Sequence, residues 1–124
     1  MKTFLKTATI AMLMTAPAAA PALAEGWTIK DLLEVPGDRE NCMARARNTI
    51  ASYLFDHGGG NTSTASWTTY GYDLRPGAQD VVIMCPVVNG GVVNAFLTVH
   101  SEGSDDERNF TADEIESIWK NGGK

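Results

Sequence analysis

The chain is poor in the residues that most chemistry requires. It has two cysteines, Cys42 and Cys85, and two histidines, His57 and His100. Two lone thiols are half of a structural zinc site, and their spacing is not the C-x-x-C of a redox pair. There is no G-x-S-x-G nucleophile elbow, and a serine nucleophile would have only those two imidazoles as bases. Positive charge is also scarce: ten Lys and Arg stand against fifteen Asp and Glu, a formal net charge of −5. Two of the ten, Lys2 and Lys6, lie at the extreme N-terminus, and no basic cluster follows. Such a surface repels phosphate backbones and anionic lipid, so neither nucleic acid nor membrane is an expected partner. Past residue 24 no apolar run approaches the roughly 20 residues that a spanning helix needs. No internal repeat is visible, and no residue set calls for a cofactor or a metal.

What is present begins with a leader. Lys2 and Lys6 precede an apolar stretch, Ala8 to Met14, and small residues ending in Ala22-Leu23-Ala24. That is the basic, apolar, A-x-A order of a cleaved secretory signal. The apolar stretch is interrupted by Thr15 and Pro17, which argues against a retained anchor. The expectation is a signal peptide over residues 1–24 and one small domain over 25–124, working in the periplasm or outside the cell. In such a compartment two cysteines in a small domain form one disulfide. A Cys42–Cys85 bridge closes a loop of about 43 residues, which contributes roughly 4 kcal/mol in the chain-entropy model.

Periodicity supplies the elements. Thr28 as cap, Asp31 three residues on and Trp27 against Leu32 predict a short helix up to about Glu34, burying Trp27 and Leu33 at the core's rim. Asp38 opens a longer helix to about Asp56, with Cys42, Ala46, Ile50, Tyr53 and Leu54 on one face. His57 and Gly58 end it, and Gly58 to Ser63 reads as a loop. That loop closes a helix rather than following a strand, so it is not a phosphate cradle. From Thr64 the period becomes two. Trp67–Asp73 and Asp80–Val88 read as strands, and Asn89-Gly90-Gly91 turns the chain into a third strand, Val92–His100. Residues 102–107 form an acidic loop whose spacing differs from a calcium loop. Thr111, with Glu114 closing a capping box and Phe110 stapled onto Ile115, starts a last helix that Asn121-Gly122-Gly123 stops.

The fold class expected is α+β: a three-stranded antiparallel meander with helices on one face and one disulfide. Register follows from segregating the two faces of the sheet. A three-residue hairpin loop pairs Cys85 with Ala95 and gathers Val81, Ile83, Cys85, Val87, Val93, Ala95, Leu97 and Val99 on one apolar face. The opposite face then holds Val82, Met84, Asn94, Phe96, Thr98 and His100, half of it apolar. With Trp67 turned outward, Trp67, Val82, Met84 and Phe96 make a patch of the kind that marks partner sites. The function expected is a non-catalytic binding, inhibitor or accessory module, whose acidic surface suits a protein partner of basic character. The alternative is a small hydrolase or metal-dependent enzyme centred on His100 and the acidic loop 102–107. No catalytic residue is assigned.

Overall fold

The longest apolar stripe in the sequence becomes the longest helix of the computed structural model, which describes residues 25–33, 37–88, 91–92 and 94–124. The leader expected over residues 1–24 lies outside the described residues. Helix α1 spans Arg39–His57, and the Asp38 carboxylate accepts from the Asn41 backbone N–H at 3.0 Å as its N-cap. Cys42, Met43, Ala46, Thr49, Ile50 and Tyr53 are its buried residues. The expectation for this segment holds, including the stop: Gly58 takes a positive φ of 81° and donates to the Leu54 carbonyl.

Among the described residues seven strands accompany it: β1 (Gly26–Leu32), β2 (Thr62–Thr64), β3 (Thr68–Leu74), β4 (Gln79–Met84), β5 (Val87–Val88), β6 (Gly91–Val92) and β7 (Ala95–Ser101). Five of them form one antiparallel sheet in the order β1-β7-β4-β3-β2, and β5 and β6 pair separately at the tip of a hairpin. A second helix, α2 (Asp105–Lys120), closes the fold. The mixed α+β architecture and the Cys42–Cys85 disulfide, with Cα atoms 6.0 Å apart, are both present. The three-stranded meander is not; the sheet gains a strand at each edge.

Both additions correct the reading of local sequence. The predicted helix from Thr28 is β1, paired residue for residue with β7 from Gly26 opposite Ser101 to Leu32 opposite Ala95. Its residues alternate between two surroundings. Thr28, Lys30 and Leu32 face α2, whereas Trp27 and Ile29 are 62% and 68% exposed. Neither Trp27 nor Leu33 reaches the core. At the other edge the predicted loop contains β2, which pairs Thr62 with Gly71 and Thr64 with Thr69.

The central hairpin combines two registers. Met84 opposes Phe96 and Ile83 opposes Leu97, the alignment that puts Cys85 opposite Ala95. The tip pairs Val87 with Val92 and Val88 with Gly91, the alignment of a two-residue loop. The two alignments differ by one residue. The face assignment therefore stands for Val81, Ile83, Cys85, Ala95, Leu97 and Val99, all buried. Val87 is 36% exposed instead, beyond the break in the ladder at Cys85 and Pro86. Val93, and the turn residues Asn89 and Gly90, lie outside the described residues.

Helix α2 begins seven residues earlier than a cap at Thr111 would place it. Ser104 is its N-cap, with a complete capping box to Glu107, so most of the acidic run is the first helical turn rather than a loop. Carboxylates there meet the positive end of the helix dipole. Thr111 is buried inside the helix, where its hydroxyl receives the Gln79 side-chain N–H at 2.8 Å and lies 3.1 Å from the Tyr53 hydroxyl. Phe110 is 43% exposed and packs edge-on to His57 rather than onto Ile115's side of the core.

One hydrophobic cluster lies between the helices and the sheet. Trp119, Tyr53, Leu32, Ile50, Leu74, Ile83, Leu97 and Ile115 are the largest of its fully buried members. Every one of the strand residues in it points to the same side, so among the described residues the helices cover one face and the other is left open.

Candidate functional site

The open face is built by alternation. Because side chains repeat every second residue along a strand, a row of partners across the ladder shares one face. One row runs Ile29, Thr98, Val82 and Tyr70; the next runs Asp31, Phe96, Met84 and Thr68; a third runs Trp27, His100 and Asp80. Tyr72 belongs to the same side, its ring stacked at 6.2 Å and 8° on that of Tyr70. Its hydroxyl lies 3.3 Å from Ser63 on β2.

Of the patch expected from the sequence, Val82, Met84 and Phe96 come together. Met84 and Phe96 are direct cross-strand partners, 42% and 38% exposed, and Val82 is two residues along β4. Trp67 is also exposed, at 51%, but it sits one residue before β3, where its carbonyl accepts from the Cys85 N–H. Its place in the alternation is with Thr69 rather than with Thr68 and Tyr70, so it stands at the end of the sheet.

Sequence reasoning missed Trp27 and Ile29, the most exposed apolar residues of the face. The signal was available in the alternation Trp27, Ile29, Asp31 against Thr28, Lys30, Leu32. A capping pattern at the same residues obscured it. With them the apolar surface crosses the sheet from β1 to β3. By contrast Phe55, 91% exposed, stands on α1, away from this face.

Among the described residues the open face carries carboxylates and one imidazole, His100, but no lysine or arginine. Asp31 and Asp80 hold register positions on it and are exposed, and Glu25 stands at its corner with its carboxylate 2.8 Å from His100 Nε2. The Trp27 and His100 rings lie 4.3 Å apart. The one lysine of β1 is turned away: Lys30 Nζ donates to Asp113 and, at 2.8 Å, to Glu116 on α2. Those bonds raise the Lys30 pKa above its ordinary value, with Asp113 the larger cause. The Glu116 carboxyl is held below the usual range by Lys30 first and Lys120 second.

The alternative centre on His100 takes a different shape from the one expected. The imidazole partners Glu25, while Asp105 pairs with Arg108 and Glu107 caps α2. His100 lines a cleft of about 340 Å³ with Asp80, Ser101 and Glu102. A second cleft, about 520 Å³, lies between α1 and the end of α2, lined by Asn41, Arg45, Asn48 and Lys120. Arg45 is committed there, donating to the Trp119 carbonyl and lying 4.9 Å over its ring. Among the described residues no group of three His, Cys, Asp or Glu side chains is placed to hold a metal ion, and no helix is long and apolar enough to cross a membrane.

No family model, curated protein or solved structure matches the chain. Any reading of function therefore rests on the geometry of the face.

Proposed function

We propose that residues 25–124 form a small exported domain, periplasmic or secreted, that acts without catalysis by binding a protein through its open sheet face. One observation carries the reading: a whole face of the sheet presents Trp27, Ile29, Val82, Met84 and Phe96 with carboxylates as its charged groups. Aromatic and methionine side chains with few charges at the centre are the composition of interface cores. The carboxylates favour a partner of basic character, since complementary charge speeds encounter and rejects wrong partners. The Cys42–Cys85 bridge suits an oxidising compartment, and the leader pattern of residues 1–24 supplies the route there.

A photo-crosslinking amino acid placed at Phe96, and separately at Phe55, tests this in the compartment where the protein resides. Adducts to a discrete protein of high isoelectric point are expected from position 96 and not from 55. Phe96→Thr, which keeps a strand former on the ladder, should weaken that partner's binding about tenfold or more, with the melting temperature little changed. Equal adducts from both positions, or full binding by Phe96→Thr, would refute the assignment. Added salt should weaken the complex.

A further inference from the structure

Edge strands expose unpaired backbone groups, and proteins protect them with brevity, proline, bulges or outward lysines. The two edges of this sheet differ. Strand β2 is three residues of Thr and Ser. Strand β1 is seven residues long, contains no proline, and runs against β7 without a register shift. Its lysine gives no protection at the edge, because Lys30 is bound on the helix side by Asp113 and Glu116. Among the described residues its one neighbour in the sheet order is β7. Trp27 and Ile29 therefore stand exposed on a long, straight, unguarded edge.

We propose that this edge pairs with the same edge of a second copy, antiparallel about a twofold axis, so that two five-stranded sheets become one sheet of ten. The sequence of β1 suits itself. Full overlap of Gly26–Leu32 with its own reverse centres on Ile29, which then faces Ile29 of the second copy. Lys30 meets Thr28, Asp31 meets Trp27, and Gly26 meets Leu32, so no like charges are directly opposed. Each pair also lies on one face of the joint sheet, as antiparallel pairing requires. Both copies use the same edge, so the assembly closes at two rather than growing into a fibre. The short polar β2 is left at each outer end. The two open faces then form one continuous apolar surface with Ile29 at its centre.

The proposal is independent of the partner reading, and salt separates the two. Both copies are acidic, so screening should strengthen self-association, the reverse of its effect on a basic partner. Sedimentation of the protein expressed from its full sequence should show a dimer at micromolar concentration, tighter in 0.5 M than in 0.05 M salt, taking the Debye lengths as a guide of roughly 4 and 14 Å. Ile29→Lys and Ile29→Glu should each be monomeric, because like charges become directly opposed, and mixing the two should restore a dimer. A separate Ile29→Cys variant avoids the question of folding. Opposed strand residues have Cα atoms about 4.5–5.5 Å apart, within disulfide reach, so oxidation should give a covalent dimer while Phe55→Cys gives little. A monomeric wild type at about 100 µM, a dimer that survives Ile29→Lys, no restoration on mixing, or no crosslink at position 29 would each overturn the proposal.

Discussion

Gly26→Ala should destabilise the protein by about 2–3 kcal/mol, through a clash with Arg108. The backbone itself does not demand glycine, since Gly26 is absent from the positive-φ positions. Alanine there would ordinarily stabilise by roughly 0.4–1 kcal/mol through the unfolded chain. Space decides the sign. A Cβ on Gly26 would come within 2.9 Å of Arg108 Nε and closer still to its Cζ and Nη2. That group is 3% exposed and held: Nη1 donates to the Ser101 carbonyl at 3.1 Å and the Gly103 carbonyl at 2.6 Å, and Nη2 pairs with Asp105. Moving it aside loses one or two charge-assisted bonds of about 1.5–3 kcal/mol each, which outweighs the entropic gain. At about 4–8 °C per kcal/mol for a domain this size, the melting temperature should fall by roughly 10–20 °C. Urea unfolding with the disulfide intact gives the free energy. The discriminating measurement repeats Gly26→Ala in an Arg108→Ala background, where the space is vacant and the substitution should cost nothing. An equal cost in both backgrounds would refute the packing argument, because coupled neighbours cannot be additive.

Leu97→Ala should cost about 2–5 kcal/mol, since Leu97 is fully buried opposite Ile83, whereas Thr98→Ala on the open face should cost little; urea melts of both variants check this, and reversed effects would contradict the observed register. The Lys30–Glu116 pair fixes a pH signature. Glu116 is depressed from 4.5, so its contribution is complete above that value and is lost as pH falls through the folded pKa. Lys30 is raised from 10.5, so its contribution is complete below 10.5 and is lost as pH rises through the folded pKa. The stability difference between wild type and Lys30→Met, measured from pH 2 to 7, should therefore shrink below about pH 4.5.

Local signals made the central elements legible. The stripe on α1, the alternation of β4 and β7, and the inward-facing Cys42 and Cys85 all follow from periodicity over short stretches. What escaped was decided at long range. Residues 26–32 satisfy a capping pattern and a strand pattern together, and only pairing with β7 selects the strand. Ser104-Asp105-Asp106-Glu107 and Thr111-Ala112-Asp113-Glu114 both read as capping boxes, and burial of Thr111 against Gln79 and Tyr53 selects the first. The candidate face was half visible for the same reason: Val82, Met84 and Phe96 belong to one hairpin, but Trp27 and Ile29 join them only once β1 has found its place.

That arrangement governs the order in which the protein can assemble. A chain is made from its N-terminus, so β1 is among the first segments of the domain to emerge. The strand it pairs with lies close to the other end, and the partners of Lys30 are 83 and 86 residues further on. Until β7 exists, Trp27 and Ile29 sit on a segment with no sheet to join, and until Asp113 and Glu116 exist, Lys30 has no anchor on α2. The domain is therefore sealed by its last helix, and a chain interrupted before residue 95 would carry an adhesive first strand with nothing to bind but its neighbours. Non-local closure of this kind also slows folding. It leaves a period during synthesis in which the segment is open to chaperones and to other chains.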